Sequence, residues 1–165
     1  MSEPLSAIAL GANLGDPVLS IKRAIQEIDA LPSTHVKAHS SFYRSRAVGP
    51  AQANYTNAVV LIQTGLEALQ LLVSLQSIED HLGRRRSTVR WAPRPIDLDI
   101  ITYGSLLINK PELIVPHPEA WHRCFVLAPL SEIDPQFVLP GHGMVGEQNQ
   151  THPTCLLYTS DAADE

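Results

Sequence analysis

The chain has 165 residues, 44% of them apolar, and a formal net charge of −5, which is enough for one domain with a real core and too little for two ordinary ones. No run of eighteen apolar residues occurs, and Met1 to Leu10 lacks a basic segment leading into a long apolar stretch. The sequence therefore writes neither a membrane span nor a secretory signal, and a cytoplasmic home is expected. The acidic balance argues against wholesale coating of nucleic acid, and Cys124 and Cys155 form no spaced metal cluster or disulfide framework.

In chain order, Ser6 to Leu10 is a short apolar run closed by Gly11 and Gly15 and reads as a buried strand. A helix follows, with Asp16 as N-cap, Pro17 at the first helical position, and Val18, Ile21, Ile25 and Ile28 at helical spacing before Pro32. Val36 to Tyr43 reads as a second strand, and Tyr55 to Gln63 as a third, with Gly49-Pro50 between them. Glu67 to Leu82 carries Leu71, Leu75, Ile78 and Leu82 on one stripe, and Gly83 sits where a left-handed C-cap is wanted. An arginine-rich stretch runs to Pro95, then a strand from Ile96 to Tyr103, a turn at Gly104 and a proline-broken segment to Pro118. Phe125 to Leu130 fits either a helix or a last strand. Eight of the thirteen prolines fall between Pro93 and Pro140, so this half is expected to be loop-rich and to carry a binding surface. The order strand, helix, strand, strand, helix, strand is that of an α+β sandwich with helices on an antiparallel sheet.

The sharpest local pattern is Arg94-Pro-Ile-Asp97-Leu-Asp99-Ile-Ile. In a strand, Asp97 and Asp99 project to one side while Ile96, Leu98 and Ile100 bury the other. Paired carboxylates on one face need a cation, a proton or water to relieve them, and such oxygen ligands suit Mg²⁺ completed by waters and substrate phosphates. Alone, this pair fits a solvated strand face equally well. Beside it, Arg84, Arg85, Arg86, Arg90 and Arg94 pack five of the twelve bases into eleven residues without an acid. Guanidinium groups bind phosphate oxygens bidentately, so arginines next to an acidic pair suit a polyphosphate; the plainer reading, a solvated basic loop, holds for Arg85. Neither a P-loop nor a Gly-x-Gly-x-x-Gly cradle is present. His117 is fixed between two prolines, six residues from Arg123, and Trp91 stands in the polar loop without an apolar partner in sequence. Tyr55, Asn57 and Phe125 could sandwich and read a heteroaromatic ring, or be ordinary core residues.

Together these motifs closely resemble the 6-hydroxymethyl-7,8-dihydropterin pyrophosphokinase family. The resemblance runs through Ala7-Ile-Ala-Leu-Gly-Ala-Asn-Leu-Gly15, Ser40-Ser-Phe-Tyr-Arg44, Val48-Gly-Pro50, Tyr55-Thr-Asn57, Gln76-Ser-Ile-Glu79, Gly83-Arg84, Trp91-Ala-Pro-Arg94, Ile96-Asp-Leu-Asp-Ile100, Val115-Pro-His117, Arg123 and Pro129-Leu130. It implies a ferredoxin-like α+β sandwich, transfer of the β,γ-pyrophosphate of ATP to the hydroxymethyl oxygen of the pterin with release of AMP, and a place in folate biosynthesis. By matching positions, Asp97 and Asp99 would hold two Mg²⁺ ions and, with Arg84 and Arg94, form the catalytic group. Gln76, Glu79, Arg84, Trp91, Arg94, Ile100, His117 and Arg123 would bind ATP. Ser45, Val48, Tyr55, Asn57, Trp91 and Phe125 would line the pterin slot. Trp91 would ride a loop that closes over both substrates and excludes water. The resemblance implies small-molecule substrates, no nucleic-acid or membrane partner, and a monomer.

The segment Ser45-Arg46-Ala47 lacks the proline common before the pterin loop, and Ala92 stands where a glycine is usual, which stiffens the closing segment. The alternatives are another Mg²⁺-dependent phosphoryl or nucleotidyl transferase, and a nucleic-acid-binding α+β module stacking bases on Tyr55, Trp91 or Phe125. Paired aspartates beside the basic patch weigh against the module, because they repel a phosphate backbone. Residues 1–154 are expected to form a single, C-terminally truncated domain. The tail from Cys155 to Glu165 resembles the translation of a sequencing adapter and is expected to be non-native.

Overall fold

The computed structural model describes residues 4–13, 15–45, 55–83, 96–151 and 156–160. Its centre is an antiparallel sheet built from β1 (Leu5–Ala12), β2 (Thr34–His39), β3 (Phe42–Ser45), β4 (Tyr55–Thr64), β5 (Asp97–Ile100) and β10 (Leu156–Ser160). The strands run in the order β10-β3-β4-β1-β5, with β2 also on β4. Helix α1 (Pro17–Asp29) links β1 to β2, and α2 (Ala68–His81) links β4 to β5, giving the expected order.

Both helices form where the caps and stripes direct them. The Asp16 carboxylate accepts the Leu19 N–H at 3.1 Å, satisfying one orphan donor of the first turn of α1. At the head of α2 the Gln70 side chain accepts the Glu67 N–H at 2.9 Å. Gly83, just past the end of α2, has φ +116, a conformation that favours glycine. Ile21, Ala24 and Ile28 of α1, with Leu71, Leu75 and Ile78 of α2, bury against Ile8, Leu10, Ala58, Val60, Ile62, Leu98 and Ile100 on one sheet face.

The opposite face is covered by helices as well. Helix α3 (Cys124–Ile133) lays Val126, Leu127 and Leu130 on Ala7, Val59 and Leu61, and α4 (Val145–Thr151) adds Val145. The segment that fits helix or strand equally is thus a helix. Pro129 lies inside it and removes one intrahelical hydrogen bond, but its buried apolar side chains hold the segment on the sheet. Two hairpins, β6 (Ile108–Asn109) with β7 (Ile114–Val115) and β8 (Val138–Leu139) with β9 (Gly143–Met144), and the short 3₁₀ turn Ala120–His122 complete the described elements.

Two strands differ from the sequence reading. The stretch Val36 to Tyr43 is split, because Ser40 bulges: its N–H donates to the Val59 carbonyl at 2.9 Å while its Oγ accepts the Val59 N–H at 3.0 Å. Between the pairs His39 with Val60 and Tyr43 with Asn57, four steps on one strand oppose three on the other. The strand Ile96 to Tyr103 is shorter than expected, since after Ile100 the Thr102 hydroxyl accepts the Ala7 N–H at 3.1 Å and turns the chain away.

Helix α3 is tied to the sheet at Glu132. Its carboxylate accepts the Ser41 N–H at 3.1 Å, the Ser41 hydroxyl at 2.8 Å and the Tyr43 phenol at 2.6 Å. Burial first, and then the hydrogen bond and charge of Glu132, push the Tyr43 phenol above its usual range. Its folded pKa therefore exceeds the unfolded one, so the stabilisation is complete below about pH 10 and declines above it. Tyr43→Phe is expected to cost about 1–2 kcal/mol at pH 8, from loss of a hydrogen bond to a charged group. Urea midpoints of wild type and variant should converge as the pH rises past 10, whereas a gap unaffected by pH would contradict this.

Candidate active site

The register lines up one row of residues across the sheet. Tyr43 pairs with Asn57, Asn57 with Gly11, and Gly11 with Asp97; in the next row Val59 pairs with Ala9 and Ala9 with Asp99. Partners directly opposite in adjacent strands share a face, so Asp97 and Asp99 stand on the same side as Asn57 and, by alternation, Tyr55. The intervening Leu98, with Ile96 and Ile100, is buried in the core of α1 and α2 on the other side. The pairing of the two carboxylates on one strand face is therefore as expected, with Asp97 half-buried and Asp99 exposed.

On this face α3 covers the rows at Ala7, Val59 and Leu61. At the ends of β1, β4 and β5 the small residues Ala9 and Gly11 lie between Asn57 and the aspartates, and among the described residues a Cβ on Gly11 would meet only Oδ1 of Asn57 within 4 Å, so side-chain size leaves a shallow trough along β1. Asn57 stands at one wall and the aspartates at the other. Phe125, in the first turn of α3, packs against the core under that helix's sheet-facing side chains and sits 5.5 Å below the Arg123 guanidinium. Ser45 occupies the register position opposite Tyr55. The segments carrying Val48, Arg84, Arg85, Arg86, Arg90, Trp91 and Arg94 lie outside the described residues. They join the described chain at Ser45, Tyr55, Gly83 and Ile96.

A second concavity lies on the outer edge of β5. A cleft of about 280 Å³ is lined by Leu72 of α2, by Asp99 and Ile100, by Pro111, Leu113 and Ile114 of the β6–β7 hairpin, and by His117. That volume sits at the lower end of ligand cavities, about 300 Å³, and suits one flat ring system. His117 is anchored there by its own N–H, which donates to the Ile101 carbonyl at 2.8 Å, and its Nδ1 accepts the Glu119 N–H at 3.2 Å. The neutral ring thus carries its proton on Nε2. Burial lowers its pKa below the usual histidine value; Arg123 adds to this, while Asp99 and Glu119 oppose it. Arg123 itself is paired with Glu119.

On α2, Leu72, Gln76 and Glu79 fall at helical spacing toward β5. Gln76 is exposed. Glu79 is only 5% exposed and accepts the Leu98 N–H at 2.8 Å, gripping the backbone between the two aspartates. Sequence reasoning placed Glu79 near a nucleotide but did not find this contact with β5. It also passed over Gly11 and Ala9, whose small size within a strand was the available signal.

Among the described residues no three His, Cys, Asp or Glu side chains gather as a metal cage. Two carboxylates on an open face nevertheless fit a Mg²⁺ site, because this ion is commonly held by one or two carboxylates with substrate phosphates completing the shell. No helix among the described residues is long and apolar enough to cross a membrane.

An antiparallel α+β sandwich with paired carboxylates on an open strand face beside an edge cleft fits an enzyme that transfers a group between two small substrates. The sequence pattern of the 7,8-dihydro-6-hydroxymethylpterin-pyrophosphokinase (HPPK) family matches residues 7–135. The chain is 44% identical over 141 residues to the 2-amino-4-hydroxy-6-hydroxymethyldihydropteridine pyrophosphokinase of Haemophilus influenzae, covering 85% of this chain and 88% of that one. It is 42% identical over 134 residues to the enzyme of that name from Pseudomonas aeruginosa, covering 81% and 82%. The crystal structure of an HPPK-DHPS protein from Plasmodium falciparum shares the fold, with a TM-score of 0.72 at 12% identity over 90% of this chain and 45% of that one. The chain belongs to the 7,8-dihydro-6-hydroxymethylpterin-pyrophosphokinase family.

Proposed function

We propose that this enzyme transfers the pyrophosphoryl group of ATP to the hydroxymethyl group of 6-hydroxymethyl-7,8-dihydropterin, releasing AMP and the pterin diphosphate, as a step of folate biosynthesis. Beyond family membership, one observation carries the reading: Asp97 and Asp99 stand between the edge cleft and the strip of small residues Ala9 and Gly11, so groups held on the two sides would meet at the carboxylates. The nucleotide base enters the edge cleft by Ile100, with Gln76 about one helical turn along α2 from Leu72 of its lining. The nucleotide phosphates run past His117 and Arg123 toward Asp99, and Arg84 and Arg94 contact them by their family positions. Glu79 keeps β5 in place beneath them. The pterin lies in the trough against Asn57, Tyr55 and Phe125, completed by Ser45, Val48 and Trp91.

Its hydroxymethyl oxygen bonds to the β-phosphorus as the bond from that phosphorus to the α,β-bridging oxygen breaks, and AMP leaves. The hydroxyl proton departs along a hydrogen bond to Asp97. Asp97 and Asp99 would hold two Mg²⁺ ions, whose chemistry is to neutralise the polyphosphate and polarise the β-phosphorus. Neutral His117 offers Nε2–H to a phosphate oxygen, and the arginines draw charge toward the leaving group. The same reading assigns a cytoplasmic monomer acting on small molecules rather than nucleic acid.

The test is product analysis with ATP, Mg²⁺ and the hydroxymethyl dihydropterin. AMP and pterin diphosphate are expected in equal amounts, abolished by chelation of the metal; release of ADP or free pyrophosphate would overturn the reading.

A further inference from the structure

We infer that Gly11 is a specificity-determining residue for the acceptor: its lack of a side chain creates the floor of the trough between Asn57 and Asp97. The inference rests on the pterin occupying that trough. Gly11 is the seventh of eight residues in β1, paired on one side with Asn57 and on the other with Asp97. A glycine inside a strand weakens it, and commonly marks a close approach by a ligand or another backbone.

Conformation does not explain it. Among the described residues the glycines with positive φ are Gly15, Gly83, Gly104, Gly141 and Gly143, and Gly11 is not one of them. Its backbone is ordinary extended chain that alanine can adopt, so only space is at stake. A Cβ built on Gly11 would stand 3.2 Å from Oδ1 of Asn57, so the amide would have to give by a few tenths of an ångström. Two strand spacings of about 4.8 Å separate the Cα atoms of Asn57 and Asp97. That span, near 10 Å, matches a fused bicyclic ring read at one end by an amide, with its hydroxymethyl arm reaching the carboxylate at the other. The next residue of β1 on this face, Ala9, keeps the floor low toward Asp99. A side chain at position 11 both raises the floor and pushes the reading group aside, while the nucleotide cleft on the outer edge of β5, whose lining does not include Gly11, is untouched.

The experiment compares wild type, Gly11→Ala and Gly11→Val in the full chain. Steady-state kinetics are run with each substrate varied in turn, and thermal midpoints and circular dichroism are recorded alongside. Gly11→Ala should raise KM for the hydroxymethyl pterin about tenfold, the usual scale for one methyl group in a fitted pocket, and Gly11→Val should raise it further. KM for ATP should stay within twofold, and the alanine variant should melt no lower than wild type. Acceptor KM unchanged in both variants would overturn the inference. So would a parallel rise of both KM values, since Gly11 would then shape the sheet end as a whole. A wild-type protein that forms no AMP would sink the proposed reaction instead, a result distinct from either.

Discussion

Asp97→Asn is expected to slow AMP formation about 10³-fold, equivalent to about 4 kcal/mol at the barrier, with no loss of fold. Asp97 stands on the open face in register with Gly11, the strand beneath it held by Leu98 and Ile100 in the core. Replacing its carboxylate with an amide keeps the side-chain shape and removes a like charge two residues from Asp99. The unliganded variant should therefore melt at or slightly above the wild-type temperature. On the proposed mechanism it loses an anchor for a divalent ion and the acceptor for the attacking hydroxyl, so ATP with Mg²⁺ should raise the melting temperature far less than in wild type. Asp99→Asn should behave alike, with a larger effect on nucleotide KM, because Asp99 also lines the edge cleft. A variant that unfolds, or one that keeps its Mg²⁺-ATP stabilisation and its rate, would show the aspartates to be structural.

Part of this arrangement is readable without coordinates because it rests on short-range rules. Alternation in a strand puts Asp97 and Asp99 together whatever the sheet around them, and Asp16 caps α1 by local hydrogen bonding. What is not readable depends on register. That Gly11 separates Asn57 from Asp97 follows from two interstrand pairings, and nothing local in the sequence fixes them. The split at Ser40 likewise arises from a side-chain hydroxyl meeting a distant N–H in β4. In the proline-rich second half the stretch Phe125 to Leu130 fits helix or strand by sequence, and buried Val126, Leu127 and Leu130 settle it as a helix that runs through Pro129, tertiary packing overriding propensity.

Glu79→Ala is expected to destabilise the protein by about 2–3 kcal/mol, through loss of a hydrogen bond to a charged acceptor and exposure of the Leu98 N–H to an unsatisfied position. For a domain of this size that lowers the melting temperature by about 5–10 °C. β5 ends the sheet path and is bonded to β1 on its inner side. On its outer side the Leu98 N–H is covered by the Glu79 carboxylate from α2. Strand edges left without such cover are weak points, and this edge carries both aspartates. Glu79→Gln separates a backbone acceptor from a charge that acts on the nucleotide. The amide oxygen can still accept from Leu98, so a backbone role predicts near-wild-type melting, with ATP KM and turnover within a few-fold of wild type. A direct electrostatic role at the nucleotide predicts that Gln fails in catalysis as badly as Ala while melting normally. The first pattern is expected, because the carboxylate is buried and engaged with the strand that presents Asp97 and Asp99.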